Sequence, residues 1–152
     1  MEMISIEKTI AIMIGIQGAG KTTFCKTRLS DYEYVNLDTL KTRDNEEKLV
    51  KKLFREDKSF VVDNTNRFKS DRERYIPTAI AKGYKIVGYY FESDLKACLR
   101  RNRKRSRKVP ENVIKEYYNI VLNNRPTYDE GFDEIYTVIN DDKEMIITEY
   151  IE

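Results

Sequence analysis

The run Gly15-Ile16-Gln17-Gly18-Ala19-Gly20-Lys21-Thr22 sets a lysine and a hydroxyl directly behind a glycine-rich turn, the G-x-x-x-x-G-K-[ST] spacing that cradles phosphate groups. Glycine is required where a Cβ would keep an oxyanion from the main chain. A nest of backbone N–H groups that leads into a helix start concentrates positive potential at one point. Gly15, Gln17, Gly18, Ala19, Gly20, Lys21, Thr22 and Thr23 are therefore the candidate contacts for a nucleoside triphosphate. Lys21 would reach the β- and γ-phosphates, and the Thr22 hydroxyl would ligate Mg²⁺.

The chain has no histidine, so a general base has to be a carboxylate, a lysine, a tyrosine or a thiolate. Two aspartates stand where apolar segments end: Asp38 after Tyr34-Val35-Asn36-Leu37, and Asp63 after Phe60-Val61-Val62, opening Asp63-Asn64-Thr65-Asn66. Facing a triphosphate, one could accept the proton of an attacking hydroxyl while the other holds Mg²⁺ or its water shell. Asp38 also reads as an ordinary turn aspartate, and spacing alone leaves open which of the two is the base.

A third feature is electrostatic. Lys96, Arg100, Arg101, Arg103, Lys104, Arg105, Arg107 and Lys108 fall in one stretch without an acidic residue, leaving 20 basic against 26 acidic residues, a net of −6, in the rest of the chain. Like charges at this density repel unless an anion compensates them. The stretch reads as a solvated face, as a contact for a nucleic-acid backbone, or as a lid whose arginines neutralise the transferred group.

These residues need a scaffold that brings them together. Residues 9–14 form an apolar, β-branched run of the kind buried in a parallel sheet, and a helix follows from Lys21 to Leu29. Further strands are expected at 32–37, 59–62, 84–91 and 132–139. Between them lie helices capped by Asp44 with Glu47, by Ser70 with Glu73 and by Ser93, and one that starts at Pro110. Leu49, Val50, Leu53 and Phe54 make one apolar stripe, Tyr75, Ile76, Ala79 and Ile80 a second, and Val113, Ile114, Tyr117, Ile120 and Val121 a third. The tail, 141–152, fits helix or strand. Strands that alternate with helices imply an α/β fold: a parallel sheet of about five strands, helices on both faces, ligands at the carboxyl ends of the strands.

At 152 residues with 40% hydrophobic and 36% charged residues, the chain suits one soluble domain, with the basic lid at about 100–110. Cys25 and Cys98 stand without C-x-x-C spacing or histidine, which excludes a zinc site and suggests buried thiols in a reducing, cytoplasmic setting. The first apolar run is too short to span a bilayer, and Glu2 and Glu7 precede it, so neither a signal peptide nor a membrane partner is expected. Oligomeric state is left open.

Gly15 to Thr23, Asn36-Leu37-Asp38, Val62-Asp63-Asn64-Thr65-Asn66 with Arg72 and Arg74-Tyr75, Arg101-Asn102-Arg103-Lys104-Arg105 before Val109-Pro110, and the segment from Tyr128 to Ile135 together resemble the kinase domain of phage-type polynucleotide 5′-kinases and their animal relatives. The resemblance runs from Ile10 to Val138. It implies transfer of the γ-phosphate of ATP, with Mg²⁺, to a DNA or RNA 5′-hydroxyl, as in nucleic-acid repair, in an intracellular or phage-infected setting. Asp38 then matches the general base and Arg105 the lid arginine. Arg101 matches a nucleotide contact, and Asp63 and Asn66 match the element near the acceptor. Lys41, with Arg43 two residues on, stands where the family carries an arginine for the acceptor's 3′-phosphate. Between the second and third strands the chain is shorter than the phage type, in a region that walls the acceptor channel. No companion phosphatase or ligase domain is read in it, so a stand-alone module is expected. Two other readings keep the same phosphate chemistry: a kinase for another hydroxyl (small molecule, nucleoside or hydroxylated base in DNA), and a nucleotide-gated nucleic-acid-binding protein.

Overall fold

The computed structural model describes residues 7–152; Glu2 lies outside them. Strand β1 (Thr9–Ile14) is buried along its whole length. Such a strand needs cover on both faces and neighbours on both edges, and it lies inside a six-stranded sheet of order β2-β3-β1-β4-β5-β6. The flanking strands are β2 (Glu33–Val35), β3 (Phe60–Val62), β4 (Lys85–Phe91), β5 (Glu134–Asn140) and β6 (Met145–Glu149). The first five are parallel, with Ile12 opposite Val62 on one side and Gly88 on the other. The chain leaves β1 in one direction for β2 and β3 and later crosses to β4, so the switch point of the sheet lies at the carboxyl end of β1.

Strand β6 settles the open tail: it pairs antiparallel with β5, Val138 opposite Ile147. The reversal is local chemistry. Asp141 Oδ1 accepts from the backbone N–H groups of Lys143 and Glu144 at 2.9 and 2.7 Å, a short acidic side chain closing a turn.

Helices α1 (Lys21–Arg28), α2 (Leu37–Leu40), α3 (Arg43–Arg55), α4 (Lys69–Arg72), α5 (Ile76–Ala81), α6 (Leu95–Arg103) and α7 (Glu111–Asn123) fill the crossovers. Their starts correct the expected caps. The cap of helix α3 lies two residues before Asp44, at Thr42, whose Oγ1 accepts from Asn45 N at 3.1 Å, while Asp44 pairs with Lys48 in the first turn. Ser70 lies inside α4, whose start is held by Asp71 accepting from Phe68 N. Asp94, not Ser93, caps α6 by accepting from Lys96 N at 3.0 Å. In each case a second oxygen-bearing residue one or two positions away serves the free N–H groups instead. Val50, Leu53, Phe54, Tyr75, Ile76, Ala79, Ile114 and Val121 join the core, whereas Ile80 is 57% exposed.

Cys25 and Cys98 are free and buried, and burial pushes the Cys25 thiol up to about 12. Neither should react with iodoacetamide in mildly alkaline buffer until the chain is denatured; mass spectrometry of native and unfolded samples checks this. Among the described residues no helix is long and apolar enough to cross a membrane.

Candidate active site

At the carboxyl end of β1 the chain turns through residues 15–20 into α1. Gly18 and Gly20 take φ values of 82° and 99°, which side-chain-bearing residues rarely adopt. Space reinforces the requirement: a Cβ on Gly18 would lie 2.6 Å from the Cys98 carbonyl, and one on Gly20 2.5 Å from Met145 Cε. Lys21 folds back across the turn, its Nζ donating to Ile16 O at 2.8 Å. Burial holds its pKa below the ordinary lysine value, against the nearby Asp63 carboxylate, which acts to raise it.

The turn opens into a cleft of about 560 Å³ lined by Gln17, Gly18, Gly20, Lys21, Thr22 and Thr23 on one side. Asp38, Arg43, Asp63 and Arg67 line it as well, together with Arg101 and Arg105. Residues read from separate parts of the sequence thus share one cavity.

The two aspartates differ in environment. Asp63 is buried, and its Oδ2 accepts from Thr22 Oγ1 at 2.8 Å and from Tyr34 Oη at 2.5 Å. Asp38 lies in the first turn of α2, exposed to the cleft, and no hydrogen bond among the described residues engages its carboxylate. Its helix is fixed by Asn36, which caps α2 by accepting from Thr39 N at 2.9 Å and donates to Asp63 O at 2.6 Å. Leu37 N also donates to Asn64 Oδ1 at 2.9 Å. The Thr22 hydroxyl beside the Asp63 carboxylate forms a hard-oxygen pair of the kind Mg²⁺ takes together with water and substrate phosphates. Among the described residues no group of three or more acidic, histidine or cysteine side chains could hold a metal alone.

Opposite the turn, Arg101 Nη1 donates to Gly18 O at 2.9 Å and Nη2 to Asn140 O at 3.2 Å, while Nε pairs with Asp142 at 2.9 Å. The expected lid over 100–110 is shorter, because α6 continues through Arg103. The remaining loop is pinned at its base: buried Asn102 donates to Val109 O at 2.7 Å and accepts from Val109 N at 2.9 Å. Arg105 projects from this loop into the cleft.

Two expected acceptor contacts are not brought in. Lys41 is the exposed C-cap of α2, with φ 77°, and does not line the cleft. Asn66 is 2% exposed, its Nδ2 spent on Met13 O at 2.7 Å. Three residues were not anticipated. The Arg67 guanidinium lies 4.0 Å over the Tyr117 ring, with its Nε buried and unpaired among the described residues. Its signal was available, a cation directly after the Asp63–Asn66 element. Tyr117 read only as part of an apolar stripe. Glu46, which the sequence pattern did not single out, is 2% exposed and accepts from Arg43, Tyr75 and Asn64 at 2.9, 2.6 and 2.9 Å. It aims Arg43 at the cleft.

Residues 38–119, more than half the chain and including both aspartates and Arg105, match the sequence model of the AAA domain. The chain belongs to the AAA-domain family. Within it the chain has the P-loop kinase type of α/β fold, a mostly parallel six-stranded sheet with its glycine turn after the central strand. It is similar to a bifunctional polynucleotide phosphatase/kinase of Schizosaccharomyces pombe, 26% identical over 144 residues that span 88% of this chain and 34% of that protein. It is also similar to an L-seryl-tRNA(Sec) kinase of Methanococcus maripaludis, 26% identical over 129 residues, 72% of this chain and 51% of that one. The AAA-domain chain therefore spans a third to a half of these relatives' lengths. Among solved structures, the AvrRxo1-ORF1:-ORF2 complex crystallised with ATP matches its fold with a TM-score of 0.73 at 15% identity, over 95% of this chain and 58% of that one.

Proposed function

We propose that this AAA-domain protein is a polynucleotide 5′-hydroxyl kinase that uses ATP and Mg²⁺. The observation that carries the reading is the single cleft in which an unpaired Asp38 faces the glycine turn, with Lys21 and Arg105 on its walls. Lys21 and the turn's remaining backbone amides hold the triphosphate, Gly15 N and Ala19 N being engaged by Thr65 O and Ile16 O. Thr22, and Asp63 through water, would hold Mg²⁺, which would supply positive charge beside the phosphate oxygens. The acceptor hydroxyl oxygen forms a bond to the γ-phosphorus and gives its proton to Asp38, while the bond to the β–γ bridging oxygen breaks and ADP leaves. Arg105 and Lys21 stabilise the oxygens of the transferring group, and Arg101 braces the turn from the nucleotide side. Asp63 serves less well as base, since two donors already occupy Oδ2.

A polynucleotide acceptor is supported by the exposed basic residues at the end of α6 and beyond it, and by the kinase named in the fission-yeast relative. Arg43 and Arg67 line the same cleft and offer guanidinium groups to an acceptor phosphate. Arg67→Ala should raise the acceptor KM about tenfold, the scale of a lost charge-assisted hydrogen bond, without changing ATP affinity; steady-state kinetics with each substrate varied checks this. A second reading, a kinase for another hydroxyl, is favoured by the short β2–β3 connection, which holds only α2 and α3.

The test offers γ-labelled ATP with DNA and RNA oligonucleotides bearing 5′-hydroxyl ends, beside free nucleosides. Label on oligonucleotide ends supports the proposal. Label on nucleosides alone replaces it with the second reading, and ATP binding without transfer leaves only a nucleotide-gated binder.

A further inference from the structure

Tyr34 has no part in the chemistry described so far. It stands on β2, the edge strand of the sheet, and its side chain is 39% exposed. An exposed edge tyrosine is ordinarily a solubilising residue, yet the hydroxyl of this one turns inward to Asp63 Oδ2 at 2.5 Å.

The backbone explains how it gets there. Tyr34 lies opposite Val61 in the parallel β2–β3 register, and Asp63 N donates to Val35 O at 2.8 Å. Asp63 is thus the first residue past the strand pairing, close enough for the phenol to reach along the strand direction. Asn36, two residues on, donates to the main-chain carbonyl of the same aspartate at 2.6 Å. One short strand therefore holds Asp63 by its side chain and by its backbone.

We propose that Tyr34 is a positioning residue for magnesium: its hydroxyl pins the Asp63 carboxylate through Oδ2, leaving Oδ1 as the oxygen that receives the ion's water shell. The inference rests on the reading of Thr22 and Asp63 as the metal side of the cleft. Oδ2 has two donors, Thr22 Oγ1 and Tyr34 Oη, and no hydrogen bond among the described residues engages Oδ1. In that reading Thr22 Oγ1 serves the ion and the carboxylate at once. Tyr34 Oη serves the carboxylate alone. Without the Tyr34 hydroxyl the carboxylate keeps a single donor, Thr22 Oγ1, which the metal also engages, so more of its ordering falls to the ion on binding. Groups that orient metal-site carboxylates typically contribute about 10–100-fold in metal affinity or activity.

Tyr34→Phe removes the hydroxyl and keeps the ring. Mn²⁺ is the probe, counted by the electron paramagnetic resonance signal of the free ion during titration of the protein saturated with a non-hydrolysable ATP analogue. Wild type, Tyr34→Phe and Asp63→Asn are compared, with metal-free analogue affinity and thermal midpoint recorded for each. The expected result is Mn²⁺ binding weakened about 10–100-fold in Tyr34→Phe, with metal-free analogue affinity unchanged. Weak Mn²⁺ binding in Asp63→Asn but normal binding in Tyr34→Phe overturns the positioning role and leaves the metal site standing. Normal binding in both overturns the metal reading itself. A Tyr34→Phe chain that loses analogue and Mn²⁺ affinity together, with a lowered thermal midpoint, shows a structural tyrosine and also overturns the inference.

Discussion

Under the proposed mechanism, Asp38→Asn should bind ATP as the parent does and transfer phosphate more slowly by roughly 10²–10⁴-fold, the range associated with a positioned general base. Asparagine keeps the size and shape of the side chain, and α2 is held independently by Asn36 and Asn64, so the acceptor still meets the cleft. What is lost is the capacity to take the hydroxyl proton. Single-turnover transfer from labelled ATP, set beside equilibrium ATP binding, separates the two effects. Near-parental turnover would move the base elsewhere, with Asp63 next in line despite its two bound donors.

The largest effect on stability falls on Arg72. Its guanidinium is 1% exposed and makes a bidentate pair with Glu130, whose side chain is 2% exposed, at 2.7 and 3.1 Å; Nη1 also donates to Asn66 O at 3.0 Å. Removing one partner strands a charge away from water, a loss of about 3–5 kcal/mol, whereas removing both is often neutral. Arg72→Met should therefore unfold at markedly lower urea concentration, and the double change Arg72→Met with Glu130→Leu should recover most of the difference. The damage reaches the site, because Asn66, held by Arg72, in turn fastens the Asp63 turn to Met13 through its side chain. Any folded fraction of Arg72→Met should show weakened transfer as well.

Much of this arrangement was legible in the chain. The glycine turn, the apolar run of β1 and the aspartates past β2 and β3 are local patterns, and local patterns carry their own geometry. The basic run contains Arg101 and Arg105, which the family resemblance singled out, and both line the cleft. What escaped depends on partners distant in sequence. Glu46 has the look of a solvated residue until Tyr75, 29 positions on, donates to it. Tyr34 meets Asp63 across the same separation of 29. Arg67 gains its role from Tyr117 on a different helix. Lys41 was misplaced for a local reason, since the tight end of α2 turns its backbone out to φ 77°. The cap positions failed because oxygen-bearing side chains are clustered at each helix start, and only the backbone path decides among them.

The β5–β6 hairpin has a consequence for the order in which the protein is made. Asn140 donates to Ala19 O across 121 positions, and Arg28 reaches Met145 O across 117. A nascent chain thus carries its phosphate cradle in full long before the residues that flank it leave the ribosome. Contacts of such sequence separation form late, so ATP should offer little help to an emerging chain and should begin to stabilise it only once the hairpin has been synthesised.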